Sequence, residues 1–168
     1  MNRFMLVALS VMMLTAIFAG SASTATAKES KILDFDTMIG VPPAFTQQTL
    51  AAFRNVPAGG LPWTLTSAKG QLKASGELEI EVKGLVFAAG PNVGKNTVPA
   101  FRGLVSCIGS DGLPHNVPTD PFPATQGLAS QGGGNASIEA TISLPQPCFA
   151  PIIFVTSPGG AWFAVTGN

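Results

Sequence analysis

Tyrosine is absent from these 168 residues, histidine occurs once and cysteine twice. Charge is scarce: Asp, Glu, Lys and Arg make up 11% of the chain, under half of the roughly 25% usual in soluble domains. Neither sign dominates, with 9 basic and 9 acidic side chains. A nucleic-acid binder needs surplus Lys and Arg to neutralise phosphates, so that class is excluded. Disorder is excluded too, because a disordered chain is poor in apolar residues and this one is 46% hydrophobic. One His and no C-x-x-C argue against a zinc or thiol-redox site, and no other cofactor signature is present.

The apolar residues are unevenly placed. Arg3 is followed by a charge-free run, FMLVALSVMMLTAIFAG, from Phe4 to Gly20. A small polar stretch then ends in Ala25-Thr26-Ala27. This is the order of a secretory signal peptide, residues 1–27, with cleavage between Ala27 and Lys28. The run is about the minimum length for a membrane span, and no stop-transfer charges follow it. The expected mature form therefore has no stable span and is secreted or extracytoplasmic. Removing 27 of 168 residues leaves 141, a natural size for the one domain expected over 28–168. Eight bases then face nine acids. Glu139 is the only charge in 121–168, and this charge-poor segment is expected to be either half of a core or a face for self-association or a cell-envelope partner.

In an exported chain, two cysteines pair with each other. Cys107 and Cys148 are expected to form one disulfide, worth roughly 4 kcal/mol by loop-closure entropy. Such a bridge would join two strands across the core near Trp162.

Glycine and proline are abundant, 32 of the 141 mature residues, which argues against a helical bundle. Residues 32–38 read as a first strand. Thr46 to Arg54 is the one helical candidate. Residues 63–74 and 77–87 read as a hairpin turning at Ser75-Gly76. Its second arm sets Leu78, Ile80 and Val82 against Glu77, Glu79, Glu81 and Lys83, the period of a half-buried antiparallel strand. Further strands are expected at 98–108, 136–144, 148–156 and 161–166, with a short edge strand near 119–125. CFAPIIFVT at 148–156 is apolar on both faces and should be central. The pattern predicts an all-β chain: a single sandwich of six to seven strands, immunoglobulin-like or jelly-roll-like, with one disulfide.

Candidate chemistry is sparse. GPNVGKNT at 90–97 has three residues between its glycines where a phosphate-binding loop needs four, and Asn96 where it needs Ser or Thr. Asp111, His115 and Asp120 share one loop-rich stretch, and Asp with His can set up a base for hydrolysis. Gly109-Ser110-Asp111-Gly112 also reads as a plain β-turn. Asp34 and Asp36 share a strand face and, with Asp111 or Asp120, form a weak calcium candidate without a D-x-D-x-D-G loop. Glu77, Glu79 and Glu81 could serve glycoside hydrolysis, or form a solvated face opposite Lys69 and Lys73. Trp63 and Trp162 are expected in the core. Asn135-Ala136-Ser137 is a glycosylation sequon, relevant to a eukaryotic source.

VSC at 105–107, DPFPAT at 120–125, LPQPC at 144–148, APIIFVT at 150–156 and GAWFAV at 160–165 complete the picture. Together they resemble an uncharacterised family of small exported bacterial proteins. The resemblance implies a bacterial, extracytoplasmic setting and supplies no activity or site residues. The composition points to an exported binding or structural protein that is not an enzyme. The alternatives are a small secreted hydrolase using carboxylates and His115, and a calcium-dependent adhesion or carbohydrate-binding module. Intact-mass measurement of the exported protein is expected to show a chain starting at Lys28; retention of residues 1–27 would make that segment an anchor instead.

Overall fold

Alternating or doubly apolar runs separated by Gly and Pro leave the backbone little choice but short strands. The structure, a computed structural model, describes residues 29–46 and 52–167. The expected signal peptide and its Ala27/Lys28 cleavage site lie outside the described residues. Among those described, the chain is all-β, with sixteen strands, two single 3-10 turns and no α-helix.

The first strand divides into β1 (Lys31–Phe35) and β2 (Met38–Gly40). A bend at Asp36 sends the two halves into different sheets. A 3-10 turn at Pro43–Phe45 follows. The expected helix over 46–54 does not form in its described part. Ala52–Phe53 is β3, Val56–Pro57 is β4, and Arg54 and Asn55 between them have φ of +50° and +63°. Two consecutive left-handed residues make a tight hairpin turn, which ends any helix.

The long hairpin forms as expected. β5 (Trp63–Thr64) and β6 (Ser67–Lys73) make one arm, and β7 (Glu77–Lys83) and β8 (Val86–Phe87) the other. After β9 (Lys95–Asn96) comes the long β10 (Ala100–Ile108). The edge strand expected near 119–125 is displaced: β11 spans Pro114–Pro118, and only Phe122–Pro123 continues it as β12. Both run antiparallel along β10. β13 (Gly127–Leu128), β14 (Ala136–Thr141), β15 (Phe149–Thr156) and β16 (Trp162–Thr166) complete the chain.

Ten of these strands lie in two larger sheets, ordered β1-β6-β7-β14 and β11-β10-β15-β16-β2, with β12 also on β10. The other six form three two-stranded pairs. The strands are thus shorter and more numerous than the six or seven expected, and they divide among several sheets.

The larger sheets pack face to face. A side chain at Gly103 would meet Leu78 at 3.0 Å and Ile80 at 3.1 Å, so β10 rests directly on β7. Val105, Ile153 and Val155 share that face by register. The opposite face of the six-stranded sheet carries Leu104, Ser106, Ile152 and Phe154, and described residues from 41–46 and 52–58 pack on it. Phe45 packs edge-on against Trp162 at 5.7 Å and Phe53 against Phe154 at 5.9 Å. Backbone bonds fasten both ends of this covering segment: Val41 N–H to Phe163 O and Gly59 N–H to Trp162 O, each 2.9 Å. Gly40 is required where the segment leaves the sheet, because a Cβ there would lie 2.2 Å from the Trp63 carbonyl oxygen.

The disulfide Cys107–Cys148 forms. It does not cross the core near Trp162. It ties the end of β10 to the residue before β15, its neighbour in the same sheet, whereas Trp162 pairs with Thr156 at the far end of β15.

Central burial explains the absence of charge from β15 and β16, the last two strands of the charge-poor segment 121–168. Every residue from Ile152 to Thr156 and from Trp162 to Thr166 is buried. Phe154→Ala is expected to lower stability by about 3–5 kcal/mol, read by urea unfolding. Ile39→Ala, at a position 57% exposed, should change it by no more than about 0.5 kcal/mol.

Candidate functional site

The four-stranded sheet collects most of the carboxylates. Register aligns Asp34, Gln71, Glu79 and Glu139 in one row and Lys69, Glu81 and Ser137 in the next. All point away from the core, since the alternate residues Leu72, Leu78, Ile80 and Ile138 are buried. Asp34, Asp36, Lys69, Gln71, Glu79, Glu81 and Glu139 border a shallow groove of about 500 Å³.

Lysines answer part of this charge. Glu81 meets Lys83 at 2.8 Å and Lys69 at 2.9 Å, and Lys73 meets Glu77. Lys83 and then Lys69 pull the Glu81 carboxyl from 4.5 to about 2. Lys73 likewise lowers Glu77, and Glu77 raises Lys73. Glu79 and Glu139 stand directly opposite each other, an unfavourable like-charge pair. Gln71 Nε2 relieves it in part by donating to Glu79 Oε2 at 2.7 Å. The solvated Lys–Glu face expected from the sequence is therefore present.

The Asp111–His115 pair is also present, on the turn between β10 and β11. Gly112 N–H closes the turn on Gly109 O at 3.1 Å, and Leu113 N–H donates to Asp111 Oδ1 at 3.0 Å. His115 Nε2 lies 3.1 and 3.0 Å from the two Asp111 carboxylate oxygens. The Leu113 N–H, and after it His115, hold the Asp111 carboxyl below its ordinary value. Both side chains are exposed. Among the described residues, no hydroxyl hydrogen-bonds to His115, so the pair lacks a nucleophile. Its carboxylate does the structural work that the β-turn reading assigns it.

Asp120 sits apart, on the connection from β11 to β12. It and Glu139 border a second groove of about 380 Å³. The four calcium candidates are thus divided: Asp34 and Asp36 on one groove, Asp120 on another and Asp111 on a hairpin turn. No group of three or more potential metal ligands occurs among the described residues.

The tryptophans are core. Trp63 stacks on Phe163 at 3.9 Å, and both Trp63 and Trp162 are buried. The loop at 90–97 is held by Asn96, whose buried side chain donates to Val98 O and Thr125 O and accepts from Val98 N–H. This asparagine stitches a loop where a phosphate loop would bind its ligand. In the sequon, Asn135 Oδ1 accepts from Gly84 N–H at 2.9 Å.

One surface escaped the sequence. Pro114, Ile108 and Phe149 are cross-strand neighbours on β11, β10 and β15. Phe149 is 58% exposed and Leu113, just before β11, is 60% exposed. Phe149 opens an apolar run and so read as core; no periodicity distinguishes it.

No protein-family model, no curated protein and no solved structure matches the chain. Among the described residues, no helix is long and apolar enough to cross a membrane.

The lowered carboxyls give a signed expectation. Glu81 stabilises the fold fully above its unfolded value near 4.5 and ceases to do so as pH falls toward about 2. NMR titration should find its midpoint near 2, and Lys83→Ala, which removes the stronger influence, should raise it.

Proposed function

We propose that the protein is an exported, non-enzymatic binding or structural domain of the cell surface or medium, acting without a cofactor. Its fold is read as a sandwich of the immunoglobulin-like or jelly-roll-like kind, supported by the two larger sheets lying face to face. Three features support export: the signal-peptide pattern of residues 1–27, the Cys107–Cys148 bridge, and the resemblance to small exported bacterial proteins. The observation that carries the binding role is the apolar row at the disulfide end, with Leu113 and Phe149 more than half exposed. Exposed apolar surface of this kind favours contact with another molecule. The broader idea of a sticky segment 121–168 contracts to Phe149, the one member of this row within it, because the segment's other large apolar side chains are buried or partly buried.

A hydrolase is the second reading, favoured by the Asp111–His115 contact. It is the weaker one. The Glu77–Glu81 face belongs to the other sheet, so the polar groups do not converge on one pocket as hydrolysis requires. Under this reading, activity on chromogenic esters or glycosides would be present and lost in His115→Ala. The calcium-dependent reading requires millimolar calcium to raise the melting temperature, and an unchanged value removes it.

Sedimentation velocity on residues 28–168 tests the first reading. Concentration-dependent association, reduced by Phe149→Lys, is the expected outcome. A monomer at high concentration that also ignores cell-envelope material counts against it.

A further inference from the structure

Ser106 and Asn116 meet on the covered face of the six-stranded sheet. They are direct cross-strand partners on β10 and β11. Ser106 is fully buried. Its Oγ and the Asn116 Oδ1 are both shut off from solvent, and neither has a hydrogen-bond partner among the described residues.

The surroundings prevent a simple remedy. Asn116 Nδ2 donates to the Arg54 carbonyl oxygen at 2.9 Å. Turning the amide over would set Oδ1 against that carbonyl, oxygen to oxygen. The Ser106 carbonyl oxygen is already engaged, accepting from Arg54 Nη1 at 3.3 Å. The left-handed Arg54-Asn55 turn thus closes over the pair from above and holds both residues in place.

Buried polar atoms left without partners are costly, and native proteins satisfy them by bringing in a partner. Asn116 Oδ1 only accepts, whereas the Ser106 hydroxyl can donate or accept. A single partner for both atoms would donate to Oδ1 and bond the hydroxyl at the same time. It must also be small, because the turn encloses it. Water meets these conditions, and sites with several polar partners are where buried waters reside. We infer that Ser106 Oγ and Asn116 Oδ1 share one buried water, enclosed beneath the Arg54-Asn55 turn.

This water is a structural ligand. It ties β10 to β11 beneath the turn, beside the two bonds that join Arg54 to those strands. Its site lies two residue pairs from Ile108 and Pro114.

Water–protein cross-relaxation NMR on the oxidised mature protein tests the inference. A water with residence beyond nanoseconds should give contacts to the Asn116 side-chain amide and the Ser106 amide. The same signal should vanish in Ser106→Ala, which removes one anchor and leaves the bond from Asn116 to Arg54 intact. The wild-type spectrum decides the matter even if the variant does not fold. Absence of any long-lived water there overturns the inference. So does a high-resolution crystal structure in which the Ser106 hydroxyl bonds Asn116 Oδ1 directly.

Discussion

A strand with apolar residues on both faces must be covered on both, and β15 and β16 impose this demand on the whole molecule. Ile153 and Val155 face the four-stranded sheet, whereas Ile152 and Phe154 face away from it. One packed sheet satisfies only the first pair. The second pair needs another layer, and residues 41–46 and 52–58 supply it with Phe45, Phe53 and the Arg54-Asn55 turn. The described part of the segment makes one parallel bridge to the sheet, Ala58 to Trp162, and does not extend it as another strand.

The same demand decides where charge can sit. The six-stranded sheet is enclosed on both sides along β15 and β16, and those two strands are uncharged. The four-stranded sheet is packed on one face only, and its free face takes the Lys–Glu ladder. The uneven distribution of charge along the sequence follows from which sheet each segment joins. Like-charged Glu79 and Glu139 are tolerated there because water screens them and Gln71 shares one.

Much of this was legible from local pattern. The alternation in 77–83 and 136–141 identified half-buried strands and their faces, and CFAPIIFVT identified a central one. The two cysteines identified their bridge. The misreadings arose where a non-local contact decides the outcome. Residues 32–38 look like one strand, and only the bend at Asp36 and the close approach of Trp63 to Gly40 separate them. Ala52-Phe53 carries a helix-compatible composition, yet Phe53 is held in a hairpin by its contact with Phe154, a residue a hundred positions away. The candidate sites divided in the same way. Asp111 and His115 are four apart on a tight turn, so their contact was readable. The exposure of Phe149 and the orphaned Ser106 hydroxyl depend on where the covering segment ends, and nothing in the sequence marks that place.

The disulfide joins neighbouring strands, and its importance lies in what it encircles. The loop from Cys107 to Cys148 contains β11 and β12, which lie on β10, and also β14, the outermost strand of the other sheet. One covalent ring therefore holds parts of both sheets. It also contains the exposed stretch around Gln126, Gly127, Ser130 and Gln131. A protease acting there would cut the backbone without separating the pieces. While the bridge stays oxidised, a nicked molecule would remain a single covalent unit.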